Sequence, residues 1–483
     1  MDTPFSILDR ARALASPRIS PVRTPAISVL IHGGVMALWL VLFARAFFLH
    51  GVAAWSTGIA YVIYDTLLLI FVAWKSLSLM KPLPHVAASR PPPTLGVIVA
   101  AHNEAAVLPI TLNALLTQTM PPAQIVIADD GSTDGTAALL ASRYGLIDLG
   151  EGKLSEPSLS DPVLRWLRLP HGGKARALNA AMLVMTTETV MTVDADTLLE
   201  PEACAAMSHA FAVLPQMVVA AGLLSPVCSQ TLSGRFFQWF QTYEYIRNFV
   251  SRYAWMRAHS LLLISGAFAC FRRDAVLTVG GFDPECLVED YELIHRLRRY
   301  SFDRDLGWDV RVIGSAKART DAPSTLGSFL RQRRRWFAGF LQTQYWYRSM
   351  IGNRRYGTLG TLMLPVKAFD TVQPLYGLAA FGLLLAFLFG GRFAIVLPVL
   401  MIILAKIAID LAFQSWSLHL YRRWSGDHTS SSFGMALLAS IVEPFSFQLM
   451  RHGGATLGWL YFLLRRNEWG AQHREGLNSA SKL

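Results

Sequence analysis

The side chains best suited to chemistry in this sequence are carboxylates in short, spaced groups. Asp194-Ala195-Asp196 follows an apolar run at 190–193. Two carboxylates two residues apart at a strand end reach one hard divalent ion, Mg²⁺ or Mn²⁺, which also binds phosphate oxygens. Such an ion would neutralise charge developing on a departing diphosphate. Upstream, Ala101-His102-Asn103-Glu104 and Asp129-Asp130-Gly131-Ser132-Thr133-Asp134-Gly135-Thr136 also follow apolar runs. Asn103, Glu104, Asp129 and Asp130 are candidates to bind a nucleoside, the carboxylates accepting from uracil N–H and ribose hydroxyls, while the glycines permit a tight turn. The competing reading is a helix-capping turn with Ser132 or Asp134 as the cap. A calcium loop is excluded, because the position that needs a bidentate Glu holds Ala141.

Lys174, in Gly172-Gly173-Lys174-Ala175-Arg176, opens a helical pattern behind two glycines. A cation and free backbone N–H groups there suit a diphosphate, although a surface lysine fits the same pattern. The motif is not a P-loop, since Ala175 follows the lysine. Asp290, in Glu289-Asp290-Tyr291-Glu292, is a candidate general base for an attacking hydroxyl. An acidic residue stabilising a helix start over 290–299 is the alternative. Glu289 beside it is a candidate acceptor contact. Gln332-Arg333-Arg334-Arg335-Trp336 adds a cation for a diphosphate in Arg335 and a ring for stacking on a sugar in Trp336. A juxtamembrane basic and aromatic anchor explains the run equally well, and that role is expected of Arg331, Arg333 and Arg334.

These groups need elements to position them. Strands are expected at 95–101, 124–129, 189–193 and 217–223, with helices at 105–117, 135–143, 174–185 and 200–212. Such alternation predicts an α/β layer with a mostly parallel sheet, whose ligands bind beyond the carboxyl ends of the strands. Asp129-Asp130 and Asp194-Ala195-Asp196 fall at those ends.

The remaining sequence belongs to a membrane. The 483 residues are 53% hydrophobic and 16% charged, with a mean hydropathy of +0.35, too apolar for an ordinary soluble protein. Runs at 27–49 and 54–74 each reach the roughly 20 residues that cross a bilayer, and 371–391 with 393–414 read as a second hairpin. A further apolar stretch at 433–465 is interrupted by Glu443, Pro444, Arg451 and His452, which leaves a short hairpin and interfacial helices both open. The net charge of +11 lies largely beside these runs, at Arg10, Arg12, Arg18, Arg23, Arg422 and Arg423. That placement points to anionic lipid and membrane orientation, and no nucleic-acid partner is expected. By the positive-inside rule the outer ends of the first hairpin are cytoplasmic. Four cysteines without metal-ligand spacing are expected to be reduced thiols.

The expected organisation is a cytosolic N-terminal segment (1–26), a transmembrane hairpin (27–80), and a Pro-rich linker at Arg90-Pro91-Pro92-Pro93. A cytosolic catalytic domain (94–322), an interfacial helix (323–355), transmembrane or interfacial helices (365–466) and a tail (467–483) follow. The short, partly polar tail gives no expectation of a C-terminal regulatory barrel.

Taken in order, the motifs resemble the processive family 2 glycosyltransferases, the cellulose, hyaluronan, chitin and poly-N-acetylglucosamine synthase group. The resemblance covers roughly residues 95–345, and the flanking spans match as well. It implies a GT-A domain between membrane helices. It further implies that Asp130, Asp194 and Asp196 bind nucleotide and metal, that Asp290 is the base, and that Gln332, Arg335 and Trp336 stand at the acceptor entrance. The base motif reads Val288-Glu289-Asp290, with Val where the family has Thr. The implied reaction is inverting transfer from a UDP-sugar to a β-linked polysaccharide, at the inner membrane with the catalytic domain cytoplasmic. An accessory membrane or periplasmic export subunit is a further expected partner. Asp370 and Asp410, near apolar segments, are expected to face an interior, an interface or the polysaccharide path. Two other readings are transfer of one sugar to a lipid-linked acceptor, and a transporter or receptor with a nucleotide-binding domain.

Overall fold

The computed structural model describes residues 4–81, 88, 90–427 and 431–465. The expected tail at 467–483 lies outside them. Eight strands form one sheet: β1 Leu95–Ala101, β2 Gln124–Asp130, β3 Leu164–Leu169, β4 Thr189–Asp194, β5 Thr197–Leu199, β6 Met217–Val227, β7 Phe268–Arg272 and β8 Asp309–Asp321. Their spatial order is β3-β2-β1-β4-β7-β6-β8-β5. Val97, Ile98 and Val99 on β1 have no exposed surface. Such unbroken apolar runs form strands buried on both faces, which is how parallel strands flanked by helices are built.

β2, β1 and β4 are mutually parallel, as the sequence predicts, and β3, which is not among the expected strands, adds a fourth parallel strand beside β2. Beyond β4, β6 and β8 also pair in parallel, so most pairings match the expected, mostly parallel sheet. β7 runs antiparallel to both β4 and β6, and β5 runs antiparallel to β8, so the sheet is mixed. The reason is local. β7 is a five-residue strand reached through the long helix Leu232–Arg257 and followed at once by the helix Arg273–Thr278. β8 alternates buried and open positions with small residues such as Ala316 and Ala318, so its hydrophobic signal is weak.

Among the described residues, four helical segments are long and apolar enough to cross a membrane: Ala26–Arg45, Gly51–Met80, Leu359–Phe389 and Phe393–Ser425. Two of them outrun the stretches expected from hydropathy, starting at Leu359 rather than 371 and ending at Ser425 rather than 414. The 33-residue Phe393–Ser425 helix spans about 50 Å at 1.5 Å per residue, well beyond a hydrocarbon core of about 30 Å. Its last turns therefore rest on the sheet domain, with Trp424 packed where Gly314 on β8 carries no side chain. The stretch at 433–465 forms two helical arms, Phe433–Phe445 and Phe447–Leu463, bent by 51°. The second arm lies along the helix Leu326–Trp346. Gly458 makes that approach possible, since a Cβ there would stand 2.6 Å from the Phe337 Cβ.

Two expectations about basic residues change. Arg12 is buried and donates from Nε to the Gly280 carbonyl at 3.0 Å, and Arg18 pairs with Asp283, so both turn to protein rather than lipid. Arg333 is no membrane anchor either. Its guanidinium meets buried Glu244 at 3.0 and 2.6 Å and covers the Trp336 ring at 4.6 Å. The Leu326–Trp346 helix is wedged between the sheet domain and the C-terminal arms, so this face of it never reaches lipid.

Candidate active site

The register of the parallel strands assembles the site. Ala101 on β1 pairs with Asp129, and Ala100 with Asp194. Glu104, Asp130 and Asp194 therefore leave neighbouring strands at one edge of the sheet. A cavity of about 1530 Å³ opens there and runs from Asp130 and Asp194 past Asp290 and Trp336 to Lys406 and Asp410 on the membrane helices.

At one end, Asp130 accepts hydrogen bonds from the Gly172 N–H at 2.8 Å and the Gly173 N–H at 2.9 Å. Gly173, at φ +92°, lets the loop turn back on the carboxylate and start the Lys174 helix. Asp129 differs from its expected place, because it does not line the cavity. Its two oxygens accept from the Ser132 N–H at 2.9 Å and the Trp166 Nε1–H at 3.3 Å, which makes it the buried anchor of the turn. Asn103 borders the cavity, but its side-chain oxygen accepts from the Thr133 and Asp134 N–H groups and holds the same turn. Glu104 also borders the cavity and is buried.

His102 and His171 meet at this end. The rings stack with centroids 4.3 Å apart. With Asp130 they offer ligand atoms within 4.8 Å of one another. Both Nδ1 atoms, however, approach the Asp130 carbonyl, at 2.8 and 3.1 Å. A carbonyl oxygen only accepts, so both Nδ1 atoms carry hydrogen and are unavailable to a metal. The pair is a flat platform beside Asp130. The His102 motif was visible in the sequence, but nothing there linked it to His171.

The D-x-D pair sits in the middle of the sheet edge. Burial, with Asp194 and Asp321 nearby, holds the Asp196 carboxyl well above the usual carboxylate range. This surplus of buried negative charge fits a divalent cation. Asp321, at the end of β8, also lines the cavity and was missed from sequence, because the strand that delivers it is poorly patterned. Lys174 forms an ion pair with Asp194 and lies 3.9 Å from Glu289. Burial opposes its charge, but Asp194, Glu289 and Asp290 outweigh burial and hold the ammonium above its ordinary range.

Asp290 opens the helix Glu289–Asp303 and lines the cavity. Its carboxylate accepts from the Gly266 N–H at 2.7 Å and the Tyr291 N–H at 2.8 Å. Burial, opposed by Lys174 and reinforced by Asp290, raises the Glu289 carboxyl to about 7. Arg335 donates to the Leu287 carbonyl at 3.1 Å, which places it beside the loop leading to Asp290. Gln332 and Trp336 border the cavity, and the Gln332 side-chain oxygen is buried without a hydrogen-bond partner. Arg252 is a further residue that sequence reasoning missed. Its Nε and Nη1 atoms are buried in the cavity wall without partners, and burial pulls its guanidinium down to about 10.

Towards the membrane the wall stays polar. Lys406 lies 2.8 Å from Asp65 and also pairs with Asp410. Arg247 meets both oxygens of Glu443 at 2.7 Å, and Lys367 meets Asp370 at the same distance. All of these line the cavity, which gives Asp370 and Asp410 the inward placement expected of them.

Comparison with known proteins agrees with this architecture. The family model described as glycosyl transferase family 2 matches residues 96–280, and that described as glycosyl transferase family group 2 matches residues 189–413. The poly-beta-1,6-N-acetyl-D-glucosamine synthase of Staphylococcus epidermidis is 27% identical over 247 residues, 51% of this chain and 54% of that protein. The Staphylococcus aureus (strain COL) protein of the same name is 26% identical over 249 residues, 50% of this chain and 53% of that protein. The chain thus spans about half the length of the curated relatives it matches. Among solved structures, the mannosyltransferase PcManGT from Pyrobaculum calidifontis, in complex with GDP-Man and Mn2+, superposes with a TM-score of 0.54. It is 18% identical and covers 81% of this chain and 99% of its own, so the two share a fold.

Proposed function

We propose that this chain moves a sugar from a UDP-sugar to a growing β-linked polysaccharide, a reading supported by the glycosyl transferase family 2 and family group 2 models that match residues 96–280 and 189–413 and by the GT-A-type mixed sheet. The observation that carries the reading is the single cavity joining the Asp194 and Asp290 region to the charged groups of the membrane helices. A polymerising enzyme needs such a continuous path, whereas an anchor does not. The staphylococcal relatives are named as poly-N-acetylglucosamine synthases, which makes UDP-N-acetylglucosamine the first donor to test.

The nucleoside is assigned to Asp130 and the His102–His171 platform, with Glu104 beside them. Asp194 and Asp196, with Asp321 nearby, would hold Mg²⁺ or Mn²⁺, which when bound neutralises charge on the departing diphosphate. Lys174 and Arg335 add fixed positive charge for the same group. Asp290 takes the proton from the acceptor hydroxyl, whose oxygen bonds to C1 as the C1–O bond to UDP breaks and its electron pair leaves with UDP. Attack from the face opposite UDP inverts C1. Trp336, steadied by Arg333, would carry the terminal acceptor sugar, with Gln332 and Glu289 as its polar contacts. Arg10, Arg23 and the Arg422-Arg423 pair favour a cytoplasmic catalytic domain, with the polymer leaving across the inner membrane. An export subunit would receive it there.

The test is a donor screen on the purified chain with UDP-glucose, UDP-N-acetylglucosamine and UDP-galactose, reading UDP release and product size. Polymer formation from one donor supports the proposal. A product one sugar longer than a lipid acceptor would favour single addition, and no UDP release from any donor would sink glycosyl transfer altogether.

A further inference from the structure

Asp283 is fully buried in the loop that leads to Glu289 and Asp290. A carboxylate withdrawn from water requires a close partner, and this one comes from the far end of the chain. Arg18 sets its planar fork against both oxygens, Nε to Oδ2 at 2.8 Å and Nη2 to Oδ1 at 2.9 Å. The same guanidinium lies 5.5 Å from the Trp346 ring centroid. Trp346 ends the helix that carries Gln332, Arg335 and Trp336.

The flanking residues fasten the segment on both sides of Arg18. The Arg12 side chain holds the Gly280 carbonyl, and its backbone comes so close that a Cβ on Gly280 would stand 2.3 Å from the Arg12 nitrogen. Gly280 also lies at φ +88°, so both space and backbone conformation demand glycine there. At the other end, Thr24 accepts from Arg348 Nε at 2.8 Å, just before the first membrane helix begins. The loop itself is tied to the donor side by Asn179, which exchanges two hydrogen bonds with Phe282 at 2.7 and 2.8 Å. It is tied to the acceptor side by Gln342, which bonds the Glu285 carbonyl and the Leu287 N–H, both at 3.1 Å.

We propose that residues 4–24 act as a brace in cis, in which Arg18 holds the Asp283 loop and the Trp346 end of the acceptor helix in register. Arg18 is a positioning residue, since it acts through Asp283 and Trp346 and does not line the cavity. The proposal rests on the assignment of Asp290 as the base and Trp336 as the acceptor contact. Its energetic logic is geometric: a misplacement of about 1 Å at a reacting centre costs on the order of 100-fold in rate. Lysine cannot reproduce the arrangement, because an ammonium offers one point of charge in place of a flat fork.

The test uses the full chain in membranes, with Arg18→Met, Arg18→Lys and Trp346→Leu. Turnover of UDP-N-acetylglucosamine and UDP binding are measured side by side. Arg18→Met is expected to keep the wild-type affinity for UDP while kcat at saturating donor falls by about tenfold or more. Arg18→Lys should recover little of that loss. Trp346→Leu leaves the ion pair in place and should produce a smaller kcat loss, again with UDP affinity intact; it also serves if Arg18→Met fails to fold. Unchanged kcat in Arg18→Met or in Trp346→Leu overturns the brace, as does a parallel fall in UDP affinity and kcat. A wild type that releases no UDP from any UDP-sugar overturns the glycosyl-transfer reading, and the brace with it. An active wild type beside an equally active Arg18→Met overturns the brace alone.

Discussion

At the sheet end of the cavity, Asp130, Asp194, Asp196, Glu289, Asp290 and Asp321 crowd around Lys174 and Arg335. At the membrane end, Arg247, Arg333, Lys367, Lys406 and Arg451 each lie within ion-pair distance of Glu443, Glu244, Asp370, Asp65 or Asp410. The first region keeps a surplus of negative charge, and the second balances its charges locally. A surplus is useful where a cation and a diphosphate must be held together and a proton accepted. Local balance suits a passage, because a path lined by opposed charges is wet and polar yet holds no strong field that would trap a neutral sugar chain. The difference supports division of one cavity into a reacting end and a conducting end.

The comparison is broken most severely by removing the proposed base. Asp290→Asn should lower transfer by about 10²–10⁴-fold, the usual worth of a positioned general base, while UDP binding persists. Next in size is Asp196→Asn. It should weaken Mn²⁺ or Mg²⁺ affinity, read by metal titration of donor binding, by more than the roughly 10–100-fold that loss of an outer metal partner causes. Lys406→Met should act at the other end. It leaves Asp65 and Asp410 facing each other without their cation, so product length should shorten while release of UDP during the first transfer is retained. Equal losses in both readouts would erase the division between the two ends. Trp336→Ala should raise the acceptor KM by about 3–10-fold, the range expected for a lost ring contact, and leave the donor KM unchanged.

The smallest effect concerns Glu289. Burial raises its carboxyl from 4.5 to about 7, so the folded chain favours the protonated form. Its contribution to stability is therefore fully present below about pH 4.5 and is lost as pH rises through about 7. Glu289→Gln keeps the neutral form at every pH. Melting curves taken across this window should fall less steeply with rising pH for the variant than for the wild type. Identical slopes would contradict the burial argument.

Much of the reacting end was legible because its acids stand at the ends of apolar strands, where spacing alone brings them together. Asp130, Asp194 and Asp196 stood out this way, whereas Asp290 and Trp336, on the helices Glu289–Asp303 and Leu326–Trp346, stood out only by their local motifs. Asp129 was not separable from Asp130 by spacing, because which of two adjacent carboxylates turns inward depends on Trp166 from β3. Asp321 was hidden by the small residues of β8, and the antiparallel β7 by its shortness. The membrane end was less readable still. Asp370 and Asp410 stood out against apolar surroundings, but the pairing of Arg247 with Glu443, or of Arg18 with Asp283, is decided by folding over long separations. Arg333 misled for the same reason, since beside Arg334 and Arg335 it looked like part of a surface charge run.

The central claim is that the sheet end makes a polymer which the membrane end conducts. Its most direct test is product size and location in proteoliposomes with outward-facing catalytic domains, supplied externally with Mn²⁺ and labelled UDP-N-acetylglucosamine, or with whichever donor the screen selects. The account predicts a long labelled polymer that resists added glycosidase until detergent opens the vesicles. A product one sugar long, or a polymer fully digestible from outside, would contradict it.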